Sequence, residues 1–74
     1  MYKSDGLRLM ARRIGNGMYA EGLTQSELSE KSGVSRTSIS HYLKGQAVPS
    51  EKTAAKIGKV LGMTPDYILG GVKA

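Results

Sequence analysis

Apolar residues in this chain recur every three or four positions and seldom alternate with polar ones, which is the period of helices rather than strands. Leu7, Met10, Ala11, Ile14 and Met18 make one face of a first helix, with Arg8, Arg12 and Arg13 off that stripe. Ser4 is placed to cap it, and Asp5 is favourable beside the positive end of the dipole. Gly15 and Gly17 each cost about 1 kcal/mol against Ala in a helix interior, so the end of this helix is weakly determined, with Gly22 the natural stop. The stretch "TQSE" is a capping box: the Thr24 hydroxyl accepts from a first-turn amide, and Glu27 reaches back to the Thr24 amide. Leu28 is the main inward residue of this second helix, which ends at Gly33. Val34 alone separates Gly33 from Ser35, the cap of a third helix that runs to about Lys44 and stops at Gly45. After the loop "QAVP", Ser50 caps a fourth helix packed through Ala54, Ile57, Val60 and Leu61 and closed by Gly62. Thr64 caps a fifth, with Pro65 at the first helical position, where its missing N–H costs nothing. The pattern predicts an all-α fold, a compact five-helix domain over residues 1–74 with an ordered core at about 5–70.

Composition narrows what such a domain does. With 74 residues the core is thin, since folding hides only about 60% of the unfolded chain's surface at this size. The chain has no cysteine, so neither a disulfide nor a thiolate metal site is available. No segment approaches the roughly 20 apolar residues of a membrane span, and "MYKSDGLRLMARR" lacks the apolar centre of a secretory signal. A soluble, intracellular protein without membrane contact is expected. Enzyme chemistry has little to work with. His41 is the single histidine and has no metal partners by spacing, and no two acids are placed as a general acid–base pair. The glycine-rich "ILGG" and "IGNG" follow no strand and make no phosphate loop. No enzyme, cofactor, metal or small-molecule ligand is expected. Eleven Lys and Arg against six Asp and Glu give a net charge of +5, which favours polyanions, nucleic acid before anionic membrane.

The third helix gives that charge a place to act. On a wheel of about 100° per residue, Ile39, Tyr42 and Leu43 fall on one side. Thr37, Ser40, His41 and Lys44 lie opposite, with Arg36 near the N-terminal edge. This outer face is short-armed, rich in donors and acceptors, and free of negative charge. The major groove of B-DNA, about 12 Å wide, admits a helix whose side chains reach base edges. Arg36 can pair with guanine, or take a phosphate instead. His41 can donate to guanine or accept from cytosine, and the Thr37 methyl can rest on a thymine methyl. A Ser/Thr-rich face can also be merely solvated. What speaks for recognition is the preceding element, since a capped helix, a short glycine-containing turn and a second helix is the helix-turn-helix layout.

"GLTQSELSEKSGVSRTSISHYLKG", followed by "VPS" and "AAKIGKVLGMTPDYIL", resembles the lambda-repressor-like, Cro/C1-type (XRE) helix-turn-helix family. The resemblance runs from about Leu7 to Leu69 and rests on several features in register: Gly22-Leu23-Thr24-Gln25, Gly33, Val34-Ser35, Ile39, Gly45, Pro49 and Leu61-Gly62. It implies a cytoplasmic, bacterial or phage-encoded transcriptional regulator, most simply a repressor, that reads double-stranded operator DNA as a homodimer on an inverted repeat. By position, Arg36, Thr37, Ser40 and His41 would face bases, while Thr24, Gln25, Lys44 and Gln46 would meet the phosphate backbone. Tyr67, Ile68, Leu69 and Val72 are the candidates for the dimer contact. The alternative on the same fold is a protein-interaction or antitoxin-type module with a silent third helix.

The sequence departs from the family pattern in places. Ser29 and Ser32 stand where the family usually has Ala and an apolar residue, and Ser32 is expected to weaken packing. Met18 and Leu43 replace a frequent buried Arg–Glu pair, a change that is neutral or stabilising when both partners change together, and they are expected to touch. Gly17, Ala54 and Gly58 are smaller than usual. Either helices 1 and 4 approach closely, or Met10, Met63 and Tyr19 fill the space.

Overall fold

The structure is a computed structural model and describes residues 4–70 and 72. Five helices follow in chain order: α1 (Ser4–Glu21), α2 (Gln25–Ser32), α3 (Arg36–Leu43), α4 (Glu51–Leu61) and α5 (Pro65–Leu69). No strand occurs among the described residues, so the fold is all-α as the apolar period predicted.

Local chemistry sets the helix starts. The side chains of Thr24, Ser35, Ser50 and Thr64 each accept from the amide three residues on, at 3.1, 3.2, 3.2 and 3.1 Å. Each such cap satisfies one of the amides a helix start leaves open, and its loss costs about 1 kcal/mol. Pro65 occupies the first turn of α5 as expected. Ser4 is itself the first residue of α1, and its side chain lies outside the described residues.

The helices enclose one apolar core. Met10, Ile14 and Met18 enter it from α1, Leu28 from α2, Ile39 and Tyr42 from α3, Ala54, Ile57 and Leu61 from α4, and Ile68 and Leu69 from α5. Val34, in the turn between α2 and α3, is buried with them. Leu43 packs against this core from its edge and meets α1 at Gly15, where its Cδ2 would lie 3.7 Å from an added Cβ.

Neither Gly17 of α1 nor Gly58 of α4 leaves a gap. A Cβ on Gly17 would meet Met63 Cε at 2.5 Å and the Leu61 side chain at 3.2 Å, so close approach and the flexible Met63 together fill that site. Tyr19 takes no part in this, being 90% exposed. It lies on the outer face of α1, away from the Met10–Ile14–Met18 stripe.

One tertiary contact was not anticipated. Arg13, placed by the sequence only off the apolar stripe of α1, stacks over the Tyr67 ring at 4.0 Å from its centroid and donates through Nη1 to the Tyr67 carbonyl. It joins α1 to α5 by a cation–π contact and a charge-assisted hydrogen bond at once.

Candidate nucleic-acid interface

Two helices and a three-residue turn build the site. α2 opens with both halves of its capping box made: the Thr24 amide donates to Glu27 Oε1 at 2.9 Å, and the Thr24 hydroxyl accepts from the Glu27 amide at 3.1 Å. Hydrogen bonding of the carboxylate by the Thr24 amide first, and then by the Thr24 side chain, holds the Glu27 carboxyl below its usual range, with Lys31 adding a smaller pull in the same direction. Gly33 closes α2 in the left-handed conformation (φ 77°), where a side chain would be strained. Ser35 then caps α3 through Ser38, with their two hydroxyls also bonded at 2.9 Å.

α3 is divided as its wheel predicts. Ile39 and Tyr42 are buried, whereas Arg36, Thr37, His41 and Lys44 are exposed and Ser40 is half-buried. Beside α2 these residues bound an open groove of about 500 Å³, lined by Gln25, Arg36, Thr37, Ser40, His41 and Lys44. No carboxylate lines it, so its three ionisable side chains are Arg36, His41 and Lys44. Such a surface presents donors and positive charge to an anionic, hydrogen-bonding partner and leaves no group to repel it.

Two residues expected near phosphate lie outside this lining. Thr24 is exposed, but its amide is already bonded within the capping box. Gln46 is exposed beyond the end of α3, its amide donating to the His41 carbonyl at 2.9 Å.

The dimer candidates divide differently from the expectation. Ile68 and Leu69 are 0% and 2% exposed within a single chain. They cannot present surface to a second copy because α5 needs them to close the core over α4. Tyr67 is half exposed beside Arg13, and Val72 is partly buried against the core. The Ser32 hydroxyl donates to the Leu28 carbonyl a turn earlier, at 2.6 Å, a bond that the packing expectation for this residue did not include.

A family model described as Helix-turn-helix, HTH_3, matches residues 20–68, from the end of α1 through most of α5. An uncharacterized HTH-type transcriptional regulator, YonR, derived from the SPbeta prophage of Bacillus subtilis, is 27% identical over 66 residues, which cover 89% of this chain. The match spans only 61% of that relative's length. Among solved structures, the restriction-modification controller protein C.AhdI from Aeromonas hydrophila superposes with a TM-score of 0.76 at 26% identity, covering 84% of this chain and 94% of its own. An HTH_3 family transcriptional regulator from Vibrio cholerae gives a TM-score of 0.75 over 86% of this chain and 36% of its own. At 20% identity that second likeness concerns the fold alone.

Proposed function

The chain belongs to the helix-turn-helix family HTH_3, and from that premise we propose that it is a sequence-specific DNA-binding transcriptional regulator, most simply a repressor, acting in a bacterial cytoplasm. The observation that carries this reading is the groove along α3, polar and cationic, free of carboxylates and left uncovered by the other described residues.

In this reading α3 lies in the major groove. Arg36 is the longest arm at the N-terminal end and pairs with guanine through its two-pronged fork. Thr37 offers a methyl to thymine, and Ser40 and His41 supply shorter hydrogen-bonding groups one turn on. Gln25 sits at the first turn of α2, where the helix dipole also favours a phosphate. Lys44 neutralises a phosphate at the far end of the groove. Thr24 and Gln46 serve the backbone only from outside the lining.

Two copies would place their α3 helices about 34 Å apart on the two halves of an inverted repeat. Tyr67 and Val72 are the tail residues with surface left for such a contact.

The test separates base reading from backbone binding. Arg36→Ala should lose about 1–3 kcal/mol of discrimination at one base position while affinity for unrelated duplex changes little. Gln25→Ala should weaken all duplexes alike. Identical behaviour of the two variants across a panel of single-base changes would show that the base-reading set is wrongly assigned.

A further inference from the structure

Three of the four left-handed glycines that end helices close their turns in the same way. After Gly22, Gly45 and Gly62, the next amide donates to the carbonyl five residues back: Leu23 to Met18, Gln46 to His41 and Met63 to Gly58, each at 2.9 Å. The exit from α2 is built otherwise. Gly33 donates to the Ser29 carbonyl at 2.9 Å, as Gly62 does to that of Gly58, but the Val34 amide turns to the Ser32 hydroxyl at 3.2 Å. That hydroxyl donates in turn to the Leu28 carbonyl at 2.6 Å.

We propose that Ser32 is a positioning residue for α3, setting the direction in which the chain leaves α2 and so the angle at which the groove is presented. The single glycine-to-carbonyl bond at the end of α2 leaves the following amide without a backbone acceptor. Val34 is 7% exposed, and an unpartnered amide at so buried a position costs free energy. Two solutions are available to it. The amide can fold back to the Ser29 carbonyl, as at the other three exits, or it can find a side chain. Ser32 supplies the side chain, and its own proton is fixed on Leu28, so the hydroxyl cannot rotate away.

Only Gly33, Val34 and Ser35 separate the two helices, so the torsions of this turn leave little slack. Folding the Val34 amide back to Ser29 would turn the chain at the point where Val34 is anchored in the core and where Ser35 begins α3. The polar residue that breaks the family's apolar pattern at this position thus holds the turn open.

The proposal rests on the DNA-binding reading only in its affinity arm. Ser32→Thr and Ser32→Val have nearly the same shape and differ in the hydroxyl. In the full chain without DNA, the measurements are Val34 amide exchange and the relative orientation of α2 and α3 from residual dipolar couplings. With DNA, the measurement is affinity for a duplex selected from random sequences and for a scrambled control. Ser32→Thr should match the wild type throughout. Ser32→Val should exchange the Val34 amide about tenfold faster or reorient α3, and should lose about tenfold in affinity for the selected duplex, the scale of one hydrogen bond. Its affinity for the scrambled duplex should stay within about twofold of wild type. If Ser32→Val does not fold, Ser32→Ala carries the same comparison with Ser32→Thr. Valine and threonine variants that agree in exchange and orientation would overturn the proposal. So would a reoriented α3 that still binds the selected duplex at wild-type strength. If the wild type prefers no duplex, the DNA-binding reading fails, and the exchange and orientation data still decide the role of Ser32.

Discussion

Replacing Gly58 by alanine should destabilise the protein even though alanine is the better helix former. An added Cβ would stand 2.2 Å from the Met63 carbonyl oxygen, 3.1 Å from its carbon and 3.4 Å from Ile68 Cδ1. The obstacle is main chain, and it is tethered. The Gly58 carbonyl accepts from the amides of Gly62 and Met63, the latter at 2.9 Å, so Met63 cannot retreat without loosening the end of α4. The helix-propensity gain is about 1 kcal/mol. Against it stand overpacking, at about 1–3 kcal/mol, and a weakened hydrogen bond, at about 0.5–1.5 kcal/mol. Taken near the middle of those ranges, the net loss is about 2 kcal/mol. For a domain of this size that lowers Tm by about 8–16 °C. Gly17→Ala is the matched control. Its nearest neighbour, Met63 Cε at 2.5 Å, is the tip of a flexible side chain that can swing aside, although Leu61 Cβ at 3.3 Å leaves little further room. Its net change should stay within about 1 kcal/mol, because the propensity gain offsets the repacking. Thermal and urea unfolding of both variants decide the matter. A Gly58→Ala protein as stable as wild type, or a Gly17→Ala protein that loses as much, would refute the packing argument.

Two further outcomes test other parts of the fold. Glu27 ionises more readily in the folded chain than in an unfolded one, so it contributes stability above the ordinary carboxylate range that is lost as pH falls through its lowered value. Glu27→Gln keeps a capping-box side chain without the charge, so it should melt below wild type at neutral pH and converge with it in acid; a gap unchanged between pH 7 and strong acid would contradict this. Arg13→Ala removes both the stack on Tyr67 and the bond to its carbonyl and should cost about 1–2 kcal/mol in urea unfolding, whereas a loss below about 0.3 kcal/mol would mean the contact adds nothing in solution.

The features legible in the sequence are those fixed within four residues. The caps at Thr24, Ser35, Ser50 and Thr64 and the stop at Gly33 depend on neighbouring chemistry alone, and they fall where the sequence puts them. The face of α3 was legible for the same reason: helical period sends Ile39 and Tyr42 inward and Thr37 and His41 outward. What escaped depends on distant contacts. Arg13 and Tyr67 are 54 positions apart, and nothing near either residue announces the other. Helix α5 has five residues, too few for periodicity to separate a core-facing Ile68 from an interface-facing one. Tyr19 is large and apolar enough to suggest filling space beside Gly17, but that space is taken by Met63, from another helix's exit. The Ser32 bonds to the Leu28 carbonyl and the Val34 amide were not legible either, because a packing argument does not count hydrogen bonds.

Whether the outer face of α3 reads base sequence is decided by selecting bound sites from a pool of random duplexes. An inverted repeat with half-site centres about one helical turn apart should be enriched and bound at least about a thousandfold more tightly than a scrambled duplex at physiological salt. A pool that yields no enriched sequence, or an enriched one that a scrambled competitor displaces equally well, would contradict base reading by α3.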